Sequence, residues 1–175
     1  PPPAAGGGAK RGGGGLGGGR GGRSGTPRDE VISAPGDDAG LLRIGGQTQV
    51  LSTDHLRAFT DDPWLLGKVA AVHALGDVWA MAAAPQVALS SIILPHMTEA
   101  MQTETLACLT EAARHVFAAH GAALLGGHTT HGTELTVGFT VTGLSAIRPI
   151  LLSGAPPGRA LTLTTPLGSA PFPPA

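Results

Sequence analysis

The chain has 175 residues, 42% hydrophobic but only 3% aromatic and without tyrosine, so it can build one ordinary domain on a core of Ala, Leu, Val and Ile. Its formal charge of −1 is unevenly spread: residues 1–28 carry five basic residues and no acid, whereas 29–175 carry six basic and twelve acidic residues, a balance of −6. An acidic body disfavours nonspecific nucleic-acid binding, no apolar run reaches the roughly 18–20 residues of a membrane span, and the single cysteine, Cys108, excludes an intrachain disulfide and fits a reducing cytoplasm.

Residues 1–28 hold thirteen of the 28 glycines and little to bury, so they are expected to be disordered. The chain opens on Pro1 with no signal-peptide pattern, as a fragment or processed product would. The folded unit is expected within 29–168, and the Pro-rich end, 169–175, is expected to fray. "LLRIGGQTQVLST" reads as a hairpin around Gly45-Gly46. A helix follows, with Asp62 as N-cap and Pro63 at its first position, ending before Pro85. Leu65, Val69, Val72 and Trp79 give it an apolar stripe. Residues 87–94 read as a strand. A second helix runs from Thr98 to His120 and stops at Gly121, with Leu106, Leu109, Ala113, Val116 and Phe117 on its apolar face. "AALLGG" reads as a short buried strand ending in a glycine turn, 135–144 as a strand, and 160–165 as the last strand. The order β-β-α-β-α-β-β-β predicts an α+β layer of mixed sheet and helices.

Four acids stand apart from ordinary surface charge. Asp37 and Asp38 sit together in "PGDDAG", Asp54 ends the hairpin, and Asp77 lies on an otherwise apolar helix, where an unpaired carboxylate is costly to bury. Singly, each reads as a cap, a salt bridge or a solvated turn. Together they suit Mg²⁺, which takes a few carboxylates, keeps several waters and completes its shell from phosphates. In "LLGGHTTHGTEL", Gly126-Gly127 would let backbone N–H groups approach a phosphate or ribose, although no P-loop pattern is present. His128 and His131, at i,i+3 in a loop, leave a two-His metal site open, with no matching Cys or His cluster elsewhere. His96, His115 and His120 read as surface positions, and Cys108 as a small core residue.

In order, "DDAG", "STDHLRAFTDDPWLLGKVAAVHALGDVWAM", "GAALLGGHTTHGTEL", "TVTGL" and "LTLTTPLGS" resemble the N-terminal half of the selenide, water dikinase (selenophosphate synthetase) family, part of the AIR synthase-like superfamily. The resemblance covers residues 35–168, and its "DDP…G" stretch with "GGHT" favours the selenium enzymes over thiamine-monophosphate kinase and AIR synthase. It implies the conversion of ATP, selenide and water to selenophosphate, phosphate and AMP, in a homodimer whose sheets pair. It also implies that Asp38 and Asp77 are magnesium ligands, that Asp37 lies in the ATP-contacting segment, and that Asp54 meets ATP through the metals. Gly127, His128 and Thr129 match a nucleotide-holding loop that reaches across the dimer interface. The family's loop G-x-G-C-G-x-K aligns with "AAGGGAK", placing Lys10 at the essential lysine and Gly7 where the catalytic Cys or selenocysteine stands. The following "RGGGGLGGGRGGR" cannot hold the family's helix.

Other departures from the family are His73 for a frequent Asn, "AMAA" for "AMGG", and Thr165 for a lysine. The chain also stops where the family's C-terminal domain begins. It is therefore expected to form no selenide-dependent AMP alone, which a nucleotide assay on the purified chain checks. Three readings stay open at this point: an enzyme fragment or another AIR synthase-like ATP-dependent enzyme, a non-catalytic dimerising relative, and an RNA binder. The last would use Arg11, Arg20 and Arg23, but has no aromatic residue interleaved to stack on bases.

Overall fold

The computed structural model describes residues 28–33 and 36–163. Gly7, Lys10 and the expected tail 169–175 lie outside the described residues. Strands β1 (Gly40–Ile44) and β2 (Gln47–Arg57) form the expected hairpin, and Gly45 and Gly46 turn it at φ 56 and 83. Helix α1 (Pro63–Ala80) starts where Asp62 Oδ1 accepts from the backbone N–H of Trp64 at 2.8 Å and of Leu65 at 3.2 Å. Strand β3 (Ala84–Pro95) leads to α2 (Glu99–Ala119), capped by Thr98 and stopped at Gly121, φ 76. Strands β4 (Ala123–Gly132) and β5 (Thr136–Ser145) complete the described elements.

The five strands make one mixed sheet in the order β1-β2-β5-β3-β4, the α+β architecture expected. Only β3 and β4 are parallel, joined by the crossover through α2; the other pairs are antiparallel. Both helices pack on one face, α1 over β2 and β5 and α2 over β3 and β4. The core fills that layer. Phe117 of α2 meets Phe139 of β5 edge-to-face at 5.1 Å, and both are fully buried. The opposite sheet face carries exposed Leu51 and Leu89.

Four expectations change. The buried stripe of α1 is Leu66, Gly67, Ala70, Ala71, Ala74, Leu75 and Val78, while Leu65, Val72 and Trp79 are exposed. Apolar residues recur on every side of the helix around Lys68, His73 and Asp77, so periodicity picks no face; close approach to α2 and the sheet selects the small residues. Second, β4 is neither buried nor ended by a glycine turn: it is exposed along most of its length and runs on through Gly126-Gly127 to Gly132, and a bulge at Leu125 absorbs the irregularity. A side chain at Gly127 would collide with Ser90 O and Oγ, so this glycine serves close strand packing. Third, Asp54 lies within β2, three residues before its end. Fourth, 160–163 is exposed coil, and 164–165 lies outside the described residues. The Leu/Thr alternation there finds no sheet edge, and Leu161 is 101% exposed.

The α1–α2 crossing depends on one glycine. A Cβ on Gly67 would lie 2.6 Å from Leu109 O, whereas one on Gly76, on the same helix, meets nothing within 4 Å. Gly67→Ala should therefore destabilise the chain by about 2–3 kcal/mol, and Gly76→Ala should stabilise it by about 0.5–1 kcal/mol. Denaturant melts read both, and equal effects of the two substitutions would contradict the packing described.

Candidate functional site

Strand alternation sends Val50, Ser52, Asp54 and Leu56 of β2 toward the helices. Val50 and Ser52 are buried there, and Asp54 keeps 23% of its side chain exposed. Helix α1 lies over this row and lowers Asp77 onto it. Ser52 Oγ donates to Asp77 Oδ2 at 2.5 Å, a short charge-assisted bond. The segment before β1 supplies Asp37 and Asp38. All four predicted acids, Asp37, Asp38, Asp54 and Asp77, thus line one cleft of about 580 Å³, with Ser33, Ser52 and Thr53.

Among the described residues, His73 is the basic side chain that pairs with the carboxylates of this cleft. Asp54 Oδ2 is buried with no hydrogen-bond partner among the described residues. Desolvation pushes the Asp54 carboxyl above its ordinary range, and the neighbouring Asp77 charge pushes it further; His73, 3.8 Å from Oδ1, pulls the other way. Asp38 is exposed. Asp37 Oδ1 accepts the backbone N–H of Leu152 at 2.9 Å. Among the described residues no three His, Cys, Asp or Glu side chains form a self-sufficient metal site. The donor set nonetheless fits Mg²⁺, which needs one or two carboxylates and takes further oxygens from water and phosphate. The orphaned Asp54 oxygen is the group that such a cation would satisfy.

Gly127, His128 and Thr129 are not brought to these acids within one chain. They lie on edge strand β4, three strand spacings, or about 14 Å, from β2. Gly127 and Thr129 line a separate cleft of about 560 Å³ beside Thr103 and Thr110 of α2. The expected loop is a strand, which places His128 and His131 on opposite faces and removes their two-His pairing. His131 instead stacks on His96 with ring centroids 5.9 Å apart. His96, His115 and His120 are exposed, as expected. Cys108 is half-buried, not core, and desolvation raises its thiol pKa, with Asp62 and Glu104 adding to the rise. Sequence reasoning missed Ser52 and Leu152. A polar residue on the buried parity of β2 was the available signal for Ser52; Leu152 carried none, because it acts through its backbone.

The AIR synthase related protein, N-terminal domain family matches residues 36–145, and the chain belongs to that family. It is 39% identical over 150 residues to a selenide, water dikinase of Geobacter metallireducens, covering 85% of this chain and 43% of that protein. It is 36% identical over 159 residues to a selenide, water dikinase of Nitratidesulfovibrio vulgaris, covering 83% of this chain and 44% of that protein. The chain thus spans less than half the length of these relatives. The crystal structure of thiamine monophosphate kinase from Aquifex aeolicus shares the fold at a TM-score of 0.55 and 19% identity, covering 65% of this chain and 38% of that one. The resemblance to the N-terminal half of the selenide, water dikinases therefore holds, as does the AIR synthase-like fold.

A raised carboxyl pKa means the folded chain holds this proton more tightly than the unfolded chain. The stability from protonated Asp54 is then present at acid pH and lost as pH rises through the folded-state pKa. Without divalent cations, Asp54→Asn should raise the melting temperature at pH 7.5 by roughly 2–6 °C, with the gain shrinking toward pH 4. A gain independent of pH, or a loss at pH 7.5, would contradict this electrostatic account.

Proposed function

We propose that this chain carries the magnesium- and ATP-binding N-terminal part of a selenophosphate synthetase, whose whole reaction converts ATP, selenide and water to selenophosphate, phosphate and AMP. The observation that carries the proposal is the convergence of four acids from three separate segments on one cleft, one of them with a buried oxygen that has no partner among the described residues. The selenide, water dikinase names of the relatives support the choice of reaction.

Asp38 and Asp77 are assigned as metal ligands, with Ser52 fixing the Asp77 carboxylate in place. Asp54 meets the nucleotide through the metal, and Asp37 belongs to the segment facing it. When bound, Mg²⁺ would neutralise phosphate charge, which is most of what phosphoryl transfer requires of a protein site. The chain's own contribution is to hold carboxylates at fixed positions and to exclude solvent on the α1 side. Residues 1–28 would hold Lys10, the lysine of the nucleophile loop, with Gly7 at its Cys or selenocysteine position; 29–168 is the binding domain. The single cysteine suits a reducing cytoplasm, where the proposal places the enzyme.

The separation between the acid cleft and Gly127, His128 and Thr129 supports a homodimer in which the partner copy supplies that strand. The sheet face with exposed Leu51 and Leu89, and the edge of β4 that is unpaired among the described residues, are the surfaces available for such pairing. Sedimentation of the purified chain should give a dimer; a monomer at all concentrations would contradict this part.

Titration calorimetry tests the cleft itself. ATP should bind only with Mg²⁺ present, and Asp38→Asn or Asp77→Asn should each weaken it at least about tenfold, the loss of one charged ligand contact. Binding of equal strength in EDTA would overturn the proposal.

A further inference from the structure

After β5 the chain does not leave the domain. It runs as a strap, Ile147–Leu152, past the end of α1 toward the acid cleft. Three polar anchors hold it. Ser145 Oγ donates to Ile147 O at 2.7 Å and lies 3.3 Å from Ala82 O. The N–H of Ile150 donates to Met81 O at 3.4 Å. The N–H of Leu152 donates to Asp37 Oδ1 at 2.9 Å, closing a contact between residues 115 positions apart.

Apolar burial does little to fix this path. Ile147, Ile150 and Leu152 are 63%, 58% and 70% exposed, and only Leu151 packs against the core. A segment whose large side chains face solvent gains little from the hydrophobic effect, so its position depends on its hydrogen bonds. The last and most charged of these is made by Asp37, the neighbour of Asp38 in the same cleft wall.

We propose that Asp37 is a positioning residue that clasps the Ile147–Leu152 strap to the cleft, so that strap order and Mg-ATP binding are coupled. The second half rests on the reading of the cleft as a Mg-ATP site. Its carboxylate acts through the Leu152 amide, and its backbone continues into Asp38. When the clasp is closed, the segment bearing Asp38 is tied to the end of β5 and to α1 through the Met81 contact. A ligand held by Asp38 and Asp77 would then tighten the strap, and a closed strap would hold Asp38 ready.

The test is amide exchange at Leu152, followed by NMR on the full 175-residue chain. Without ligand, Asp37→Ala should speed exchange about tenfold, the loss of one hydrogen bond to a charged acceptor, while the melting temperature reports that the variant is folded. Asp37→Asn keeps an oxygen acceptor and should restore most of the protection. Saturating Mg-ATP should slow exchange at least about threefold further in the unaltered chain and leave it unchanged in Asp37→Ala. Equal exchange in Asp37→Ala and the unaltered chain would overturn the clasp. Equal slowing by Mg-ATP in both would overturn the coupling. An unaltered chain that binds no Mg-ATP overturns the cleft reading and the coupling with it, while the ligand-free comparison still decides the clasp.

Discussion

Two carboxylates held side by side under helix α1 are the constraint on which the rest of the site turns. Asp54 comes up from β2 and Asp77 comes down from the last turn of α1. Among the described residues neither has a strong basic partner: Asp77 has a serine hydroxyl, and Asp54 has a half-exposed histidine at 3.8 Å. A fold concerned only with stability would place a cation or an apolar residue at this seam, because two partly desolvated carboxylates side by side repel. Its retention is understood if the missing positive charge arrives from outside with the ligand.

The layer architecture keeps the two acids together. Small residues on the inner face of α1, notably Gly67, Ala70, Ala71 and Ala74, let the helix sit close to α2 and the sheet. A Cβ on Gly143 of β5 would lie 2.5 Å from the Val78 side chain, so the sheet is equally close beneath the residue after Asp77. The packed Val78 beside it and the Ser52 hydrogen bond hold the Asp77 carboxylate near Asp54. Strain of this kind at one point, offset by an otherwise consistent core, is the usual signature of a functional site.

Much of this could be read in the residues. The hairpin glycines, the Asp62 and Thr98 caps and the Gly121 stop carry local chemistry, and each fell where expected. The four acids were legible because carboxylates at "DDAG", in a strand and on an apolar helix are individually out of place. What could not be read was set by long-range packing. The inner face of α1 is chosen by neighbours, not by its own periodicity. Gly126-Gly127 looks like a turn locally, yet Ser90 on the adjacent strand requires the missing side chain. The alternation at 160–163 is strand-like only until a pairing partner is sought. The Asp37–Leu152 contact joins distant segments through a backbone amide and leaves no trace in side-chain identity.

The central proposal is that a divalent cation supplies positive charge to this cleft. The direct measurement is the melting temperature of the chain in EDTA and in millimolar Mg²⁺, at pH 7.5 and at pH 5, with Asp77→Asn as control. The account predicts a Mg²⁺-dependent rise at pH 7.5 that shrinks as the pH falls toward the raised pKa of Asp54, and that is lost in the control. Identical melting in EDTA and Mg²⁺ at pH 7.5, or an equal rise in Asp77→Asn, would contradict it.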